Sequence, residues 1–292
     1  MKLSKYAMAL VIALTTLQVS FSQIRQELLY SIHDSKVTIF SVYDGNNFIG
    51  NSLWINRTIN SEIKAQYFAD KMNYSSIYER FNAWKSGKVL ISICSGAFTN
   101  DNTKPKGITI DNGTIINRDV DGTMNGLVIV YPTGGIVVSD LSEKNLKLSN
   151  NYSTHYLNIR DEYDKNTFFT FAKNESATVF QTQLLIYNND LKCKPKNEYR
   201  ERRFLIIAKN RDNNILHIVF DIPKNVQLYS TAQAILNYFK SSGKDIYAMI
   251  NLDTGSYNMI NVYYPNGSKV SDFKGSNDIA GAVNIIAYYY NK

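Results

Sequence analysis

DIYAMINLDTGSYNMINVYY, residues Asp245–Tyr264, decides how the rest of the chain is read. An apolar run, Ile246–Leu252, ends in one carboxylate, Asp253, followed by the polar turn Thr254-Gly255-Ser256. A second strand-like run, Asn258–Tyr264, begins at once. Two structures satisfy that pattern. One is a hairpin, with Asp253 as an ordinary turn residue. The other is a buried strand that carries a reactive or metal-binding carboxylate to its tip.

Working outward, strands dominate. Ser230–Lys240, STAQAILNYFK, precedes this stretch and predicts an amphipathic helix with Ser230 as N-cap and Gly243 beyond its end. FLIIAKNRDNNILHIVFD, residues 204–221, reads as two strands around an Asp212-Asn213-Asn214 turn. Asp44-Gly45, Asn112-Gly113 and Pro132-Thr133-Gly134-Gly135 mark three further hairpins. Val89–Cys94 is a short apolar strand bounded by Gly87 and Ser95-Gly96, and the chain closes on a strand in AVNIIAYYY. Ser61–Lys85 has helical spacing, with Ile63, Tyr67, Met72 and Ile77 on one face. The stretch 143–164 reads as irregular surface loop with a short strand, and 188–201 as a polar connector. The sum predicts an α+β fold, a large mixed or antiparallel sheet with a few packed helices.

The N-terminus reads as an export signal. Lys2 and Lys5 precede the apolar AMALVIALTTLQVSF, and Ser20-Phe21-Ser22 offers small residues for cleavage before Gln23. Residues 23–292 are then expected to form a single domain, secreted or periplasmic. No later run approaches the roughly 18 apolar residues of a membrane span, so none is expected in the mature chain. The formal charge of +7 falls to +5 without Lys2 and Lys5. That excess suits acidic glycans or phosphodiesters, and with no long basic block it gives no case for nucleic acid. The two cysteines, Cys94 and Cys193, do not make a disulfide framework in a chain of this size; two free thiols are expected.

Strong catalytic signatures are absent: no Walker loop, G-x-S-x-G elbow, H-E-x-x-H or C-x-x-C occurs. The histidines His33, His155 and His217 are scattered. What remains are Asp253, the loop carboxylate Asp101, and Arg202-Arg203 at a strand start, where an arginine can grip a phosphate or carboxylate through two donors.

The order of these pieces resembles the phosphodiester glycosidase family from about Val89 to the C-terminus. Cys94-Ser95-Gly96-Ala97-Phe98, Pro105-Lys106-Gly107, Asp111-Asn112-Gly113, LVIVYPTGGIVV, QTQLLIYNNDL, Arg203–Ile207, STAQAILNYFK and Leu252–Tyr257 fall where the family carries its motifs. The resemblance implies hydrolysis of a glycosyl phosphodiester at the cell envelope, in proteins linked to exopolysaccharide. It implies Asp253 as acid/base or as holder of a divalent cation, and Arg203 as phosphate ligand. Cys94, Ser95, Gly96, Asp101, Thr254, Gly255 and Ser256 would line the substrate. The chain departs from the family at Cys94, where an asparagine is usual, at Ile207, and at Thr254, Ser256 and Tyr257, which interrupt a glycine run. Side chains there narrow a backbone cradle for an anion. The alternative expectation is a non-catalytic module that binds a glycan or anionic polymer and has lost the active site.

Overall fold

The computed structural model describes residues 23–100, 104–142, 146–149 and 154–292. The expected export signal and Asp101 lie outside the described residues. The chain opens with β1 (Ile24–Ile32), β2 (Val37–Asp44), β3 (Asn47–Asn56) and β4 (Lys64–Phe68), then helix α1 (Ile77–Trp84). It continues through β5 (Lys88–Cys94), β6 (Thr99–Asn100), β7 (Lys104–Pro105), β8 (Thr109–Asp111) and β9 (Thr114–Asn117). Next come β10 (Gly126–Val130), β11 (Ile136–Asp140), β12 (Leu146–Ser149), β13 (Thr154–Leu157) and α2 (Glu162–Asn174). The last part holds β14 (Thr178–Tyr187), β15 (Asp190–Leu191), β16 (Tyr199–Lys209), β17 (Ile215–Gln227), α3 (Leu228–Ser241), β18 (Asp245–Leu252), β19 (Ile260–Val262) and β20 (Ile285–Asn291).

Every pairing among the described strands is antiparallel, so the fold is α+β with antiparallel sheets. The large sheet runs β1-β2-β3-β17-β16-β18-β14-β10-β11, with β8 and β15 attached at β14 and β9 at β8; a four-stranded sheet runs β19-β5-β20-β4. Central strand β16 shows why the core has two sides. Leu205 and Ile207 point to a cluster shared with Ile91, Val262, Ile286 and Tyr288 of the smaller sheet. Phe204, Ile206 and Ala208 point to the opposite cluster, where Ala232, Ile235 and Phe239 of α3 cover them. A strand covered on both faces is apolar throughout, as FLIIA is. Helix α2 covers β10 and β14 through Phe168, Phe169 and Ala172, and α1 covers the smaller sheet through Ile77 and Phe81.

Three expectations change. Ser61–Lys85 is not one helix: Ala65, Tyr67 and Phe68 are buried in β4, a positive φ of 51° at Met72 interrupts the chain, and α1 starts after Ser76, whose hydroxyl caps Glu79 N. The helix before the last motif is capped at Gln227 rather than Ser230, and Gln227 makes no side-chain capping bond. The stretch 143–164 contains two paired strands, β12 and β13, and the start of α2. The turns at Asp44-Gly45, Asn112-Gly113, Pro132–Gly135 and Asp212–Asn214 do join paired strands.

Candidate functional site

The decisive stretch is not a hairpin. Strand β18 lies in the large sheet between β16 and β14, whereas β19 lies in the smaller sheet against β5. Residues 253–259 therefore carry the chain from one sheet to the other, and Asp253 stands at the seam. Its backbone N–H donates to Gly96 O at 3.0 Å, which ties the end of β18 to the loop after β5. Ser95 N donates to Met259 O at 3.1 Å, and Ser95 Oγ donates to Tyr257 O. Asn284 Oδ1 accepts from Gly96 N and Ala97 N at 3.0 and 2.9 Å, and its Nδ2 donates to Ala97 O. Glycine is needed at 96 because a Cβ there would stand 2.8 Å from the ring of buried Tyr67.

Arg203 is the pivot of the seam. It faces Leu252 across β16–β18 and Asp221 across β16–β17. Its Nε and Nη2 donate to Asp221 Oδ1 at 3.1 and 2.9 Å, Nη2 also to Asn258 Oδ1 at 2.7 Å, and Nη1 to Met259 O at 3.0 Å. The side chain is fully buried. The resemblance implied Arg203 as phosphate ligand; in the structure four of its five N–H groups serve the protein itself, and no solvent reaches it. It positions the seam and biases its charges. Burial raises the pKa of Asp221 and of Asp253, and in both cases Arg203 opposes the rise.

Asp253 is 4% exposed. Its Oδ1 accepts from Gly255 N at 2.9 Å; its Oδ2 has no hydrogen-bond partner among the described residues. Burial is the first cause of its raised pKa, with the Gly255 N–H and Arg203 pulling the other way. A carboxyl in that state holds its proton longer than one in water and has one oxygen available to deliver it.

Cys94, Ser95 and Gly96 thus join Asp253 and Arg203 in one place. Cys94 is buried and unpaired, and burial pushes its thiol up to about 11. Thr254 donates to Glu201 O at 2.8 Å, while Gly255 and Ser256 are exposed. Cys193 is also unpaired. His217 is buried in β17 against Tyr288 Oη at 3.0 Å, and His33 contacts Tyr290 Oη and Tyr263 O. Among the described residues no group of three His, Cys, Asp or Glu side chains clusters as a metal site would need. The sequence reading did not single out Asp221, Asn258 or Asn284. Only Asp221 left a signal there, since counting out from the Asp212–Asn214 turn sets it opposite Arg203.

A cleft of about 620 Å³ opens at Phe98, and neither Asp253, Arg203 nor Cys94–Gly96 lines it. Phe98, two residues past Gly96, lines it together with Gln183, which accepts from Asn251 Nδ2 at 2.9 Å.

No family model matches the chain, and no curated protein does. Among solved structures, the zebrafish N-acetylglucosamine-1-phosphodiester alpha-N-acetylglucosaminidase catalytic domain, auto-inhibited by its pro-peptide, is similar at 12% identity and a TM-score of 0.47, over 93% of this chain and 83% of that one. A hypothetical protein from Synechocystis is similar at 10% identity and a TM-score of 0.44, over 92% of this chain and 62% of that one. These are distant likenesses, and no residue role follows from either.

Proposed function

We propose that this chain is an exported, phosphodiester-glycosidase-like protein of the cell envelope that hydrolyses a glycosyl phosphodiester with Asp253 as proton donor. The observation that carries the reading is the state of Asp253: buried, raised in pKa, fixed by Gly255 through one oxygen and unbonded at the other. The order of motifs in the sequence and the meeting of Cys94–Gly96 with Asp253 support it. In the reaction the bond between the anomeric carbon and the phosphodiester oxygen breaks. Water forms the new bond to that carbon, the Asp253 proton passes to the departing oxygen, and the water proton returns to solvent. Arg203 acts through Asp253 and the seam, not on substrate.

A UDP-sugar and an aryl sugar phosphodiester, incubated with purified protein, give the test. Wild type releases sugar, and Asp253→Asn lowers kcat by about 10²- to 10⁴-fold, the usual range for a general acid. The rate also falls as pH rises through the raised Asp253 pKa, because the acid form is consumed. Equal activity in Asp253→Asn sinks the assignment. The rival reading, a binding module without catalysis, draws on the closed guanidinium of Arg203 and the near-complete burial of Asp253. It predicts no turnover in wild type and glycan or anionic-polymer binding that survives replacement of both residues.

A further inference from the structure

Arg202 is the neighbour of Arg203 and is buried like it, but it makes none of the bonds that hold Arg203. It is only 7% exposed, yet its guanidinium has no hydrogen bond or ion pair among the described residues, and Nε is buried without a partner. A buried arginine is ordinarily held by a carboxylate or by carbonyls, because stripping water from it is costly. Glu198, the acid that acts on it, already bridges Lys196 and Arg200. Arg202 lines the 620 Å³ cleft, and so do Lys192, Lys194, Lys196 and Arg200, against the single carboxylate of Glu198. Lys192 is paired with Asp140 at 3.0 Å. Lys194 is exposed and has no ion pair among the described residues.

Two independent features point the same way. Leu228, the first residue of α3, lines the cleft, and this fourteen-residue helix has neither a side-chain cap nor an acid in its first turn. Its unspent N–H groups and positive dipole end favour an anion. Cys193 and Phe98 also line the cleft, so the cations surround a bounded space and not an open surface.

We propose that this cleft is an anion site for a phosphate group, with Arg202 as its principal ligand and Lys194 as its accessory. Guanidinium and phosphate match through two parallel hydrogen bonds, and lysine adds a point charge. The site takes a phosphate ester or diester borne by a larger ligand as readily as the free ion. The assignment does not rest on hydrolysis at Asp253: binding is read without turnover, so either proposal can fail alone.

The probe is inorganic phosphate, titrated by calorimetry into the purified full-length protein at low ionic strength, with acetate as a matched control. Wild type is expected to bind phosphate with Kd on the order of 1 mM, and acetate much more weakly. Arg202→Met, which keeps the length of the side chain and removes the charge, weakens binding by about tenfold or more. Lys194→Gln, at an exposed position that leaves the core untouched, weakens it by roughly threefold. A second readout needs no variant: phosphate, and not acetate, slows alkylation of Cys193 in wild type. Because Arg202→Met removes an unpaired buried charge, it also raises Tm in phosphate-free buffer. Undiminished phosphate binding in both variants overturns the proposal, and so does an equal response to acetate or a Cys193 labelling rate indifferent to phosphate.

Discussion

Arg203 and Asp221 form a buried ion pair whose worth lies in its completeness. Each charge alone would face a desolvation cost of several kcal/mol, which the pair and its bonds to Asn258 and Met259 O offset. Asp221→Ala therefore leaves a buried guanidinium without its counter-charge and should cost about 3–5 kcal/mol in urea unfolding. The double change Arg203→Met with Asp221→Leu should cost clearly less than the two single changes added together. Additive losses would show that the pair is not coupled. Asp221 was not singled out from the sequence, although its position carried a signal: a tight turn at Asp212–Asn214 fixes which residues oppose one another across the hairpin. Asn284 carried no such signal. Its bonds to Gly96 and Ala97 join residues 187 and 188 positions apart, and no local pattern encodes such a meeting.

At the scale of elements, one pattern twice served two structures. Ile63 and Tyr67 share a helical face, but Ile63, Ala65 and Tyr67 also alternate, and the four-stranded sheet takes the alternation. The turn after Asp253 suits a hairpin or a crossing between sheets, and only the pairing of β19 with β5 decides it. That crossing depends on Gly96. Gly96→Ala drives a Cβ towards Tyr67, which is fully buried and has no room to retreat. The expected loss is about 1–3 kcal/mol, the ordinary cost of overpacking. It should come with disturbance of Asp253, whose N–H is held by Gly96 O. Thermal unfolding and sugar release together check this: stability lost with no change in rate would mean that the seam does not set the geometry of Asp253.

Across the whole molecule, stability near pH 4–6 is a contest between two kinds of buried group. Burial, helped by the charge of Arg57, lowers the pKa of His217 to about 3, and burial also lowers that of His33. Unfolding at pH 5 exposes these rings, which then take up protons. Stability due to each therefore falls with acid from the unfolded value of about 6.5, at about 1.4 kcal/mol per pH unit where the uptake is complete. Asp221 and Asp253 work in the other direction, because their pKa values are raised in the folded state. Their contribution is whole below the unfolded value of about 3.9 and is lost as pH rises through the folded one. The two slopes oppose and partly cancel in wild type. Asp253→Asn removes one opposing slope, so it should steepen the loss of Tm between pH 6 and pH 4 while raising stability at neutral pH. His217→Gln removes a cooperating slope and should flatten the same limb, whatever it costs in packing against Tyr288. Tm measured against pH for the three proteins separates these effects, since a packing defect shifts the whole curve and leaves its slope alone. Parallel curves for wild type and Asp253→Asn would show that Asp253 titrates as though in water, and would remove the physical basis for treating it as the acid of the site.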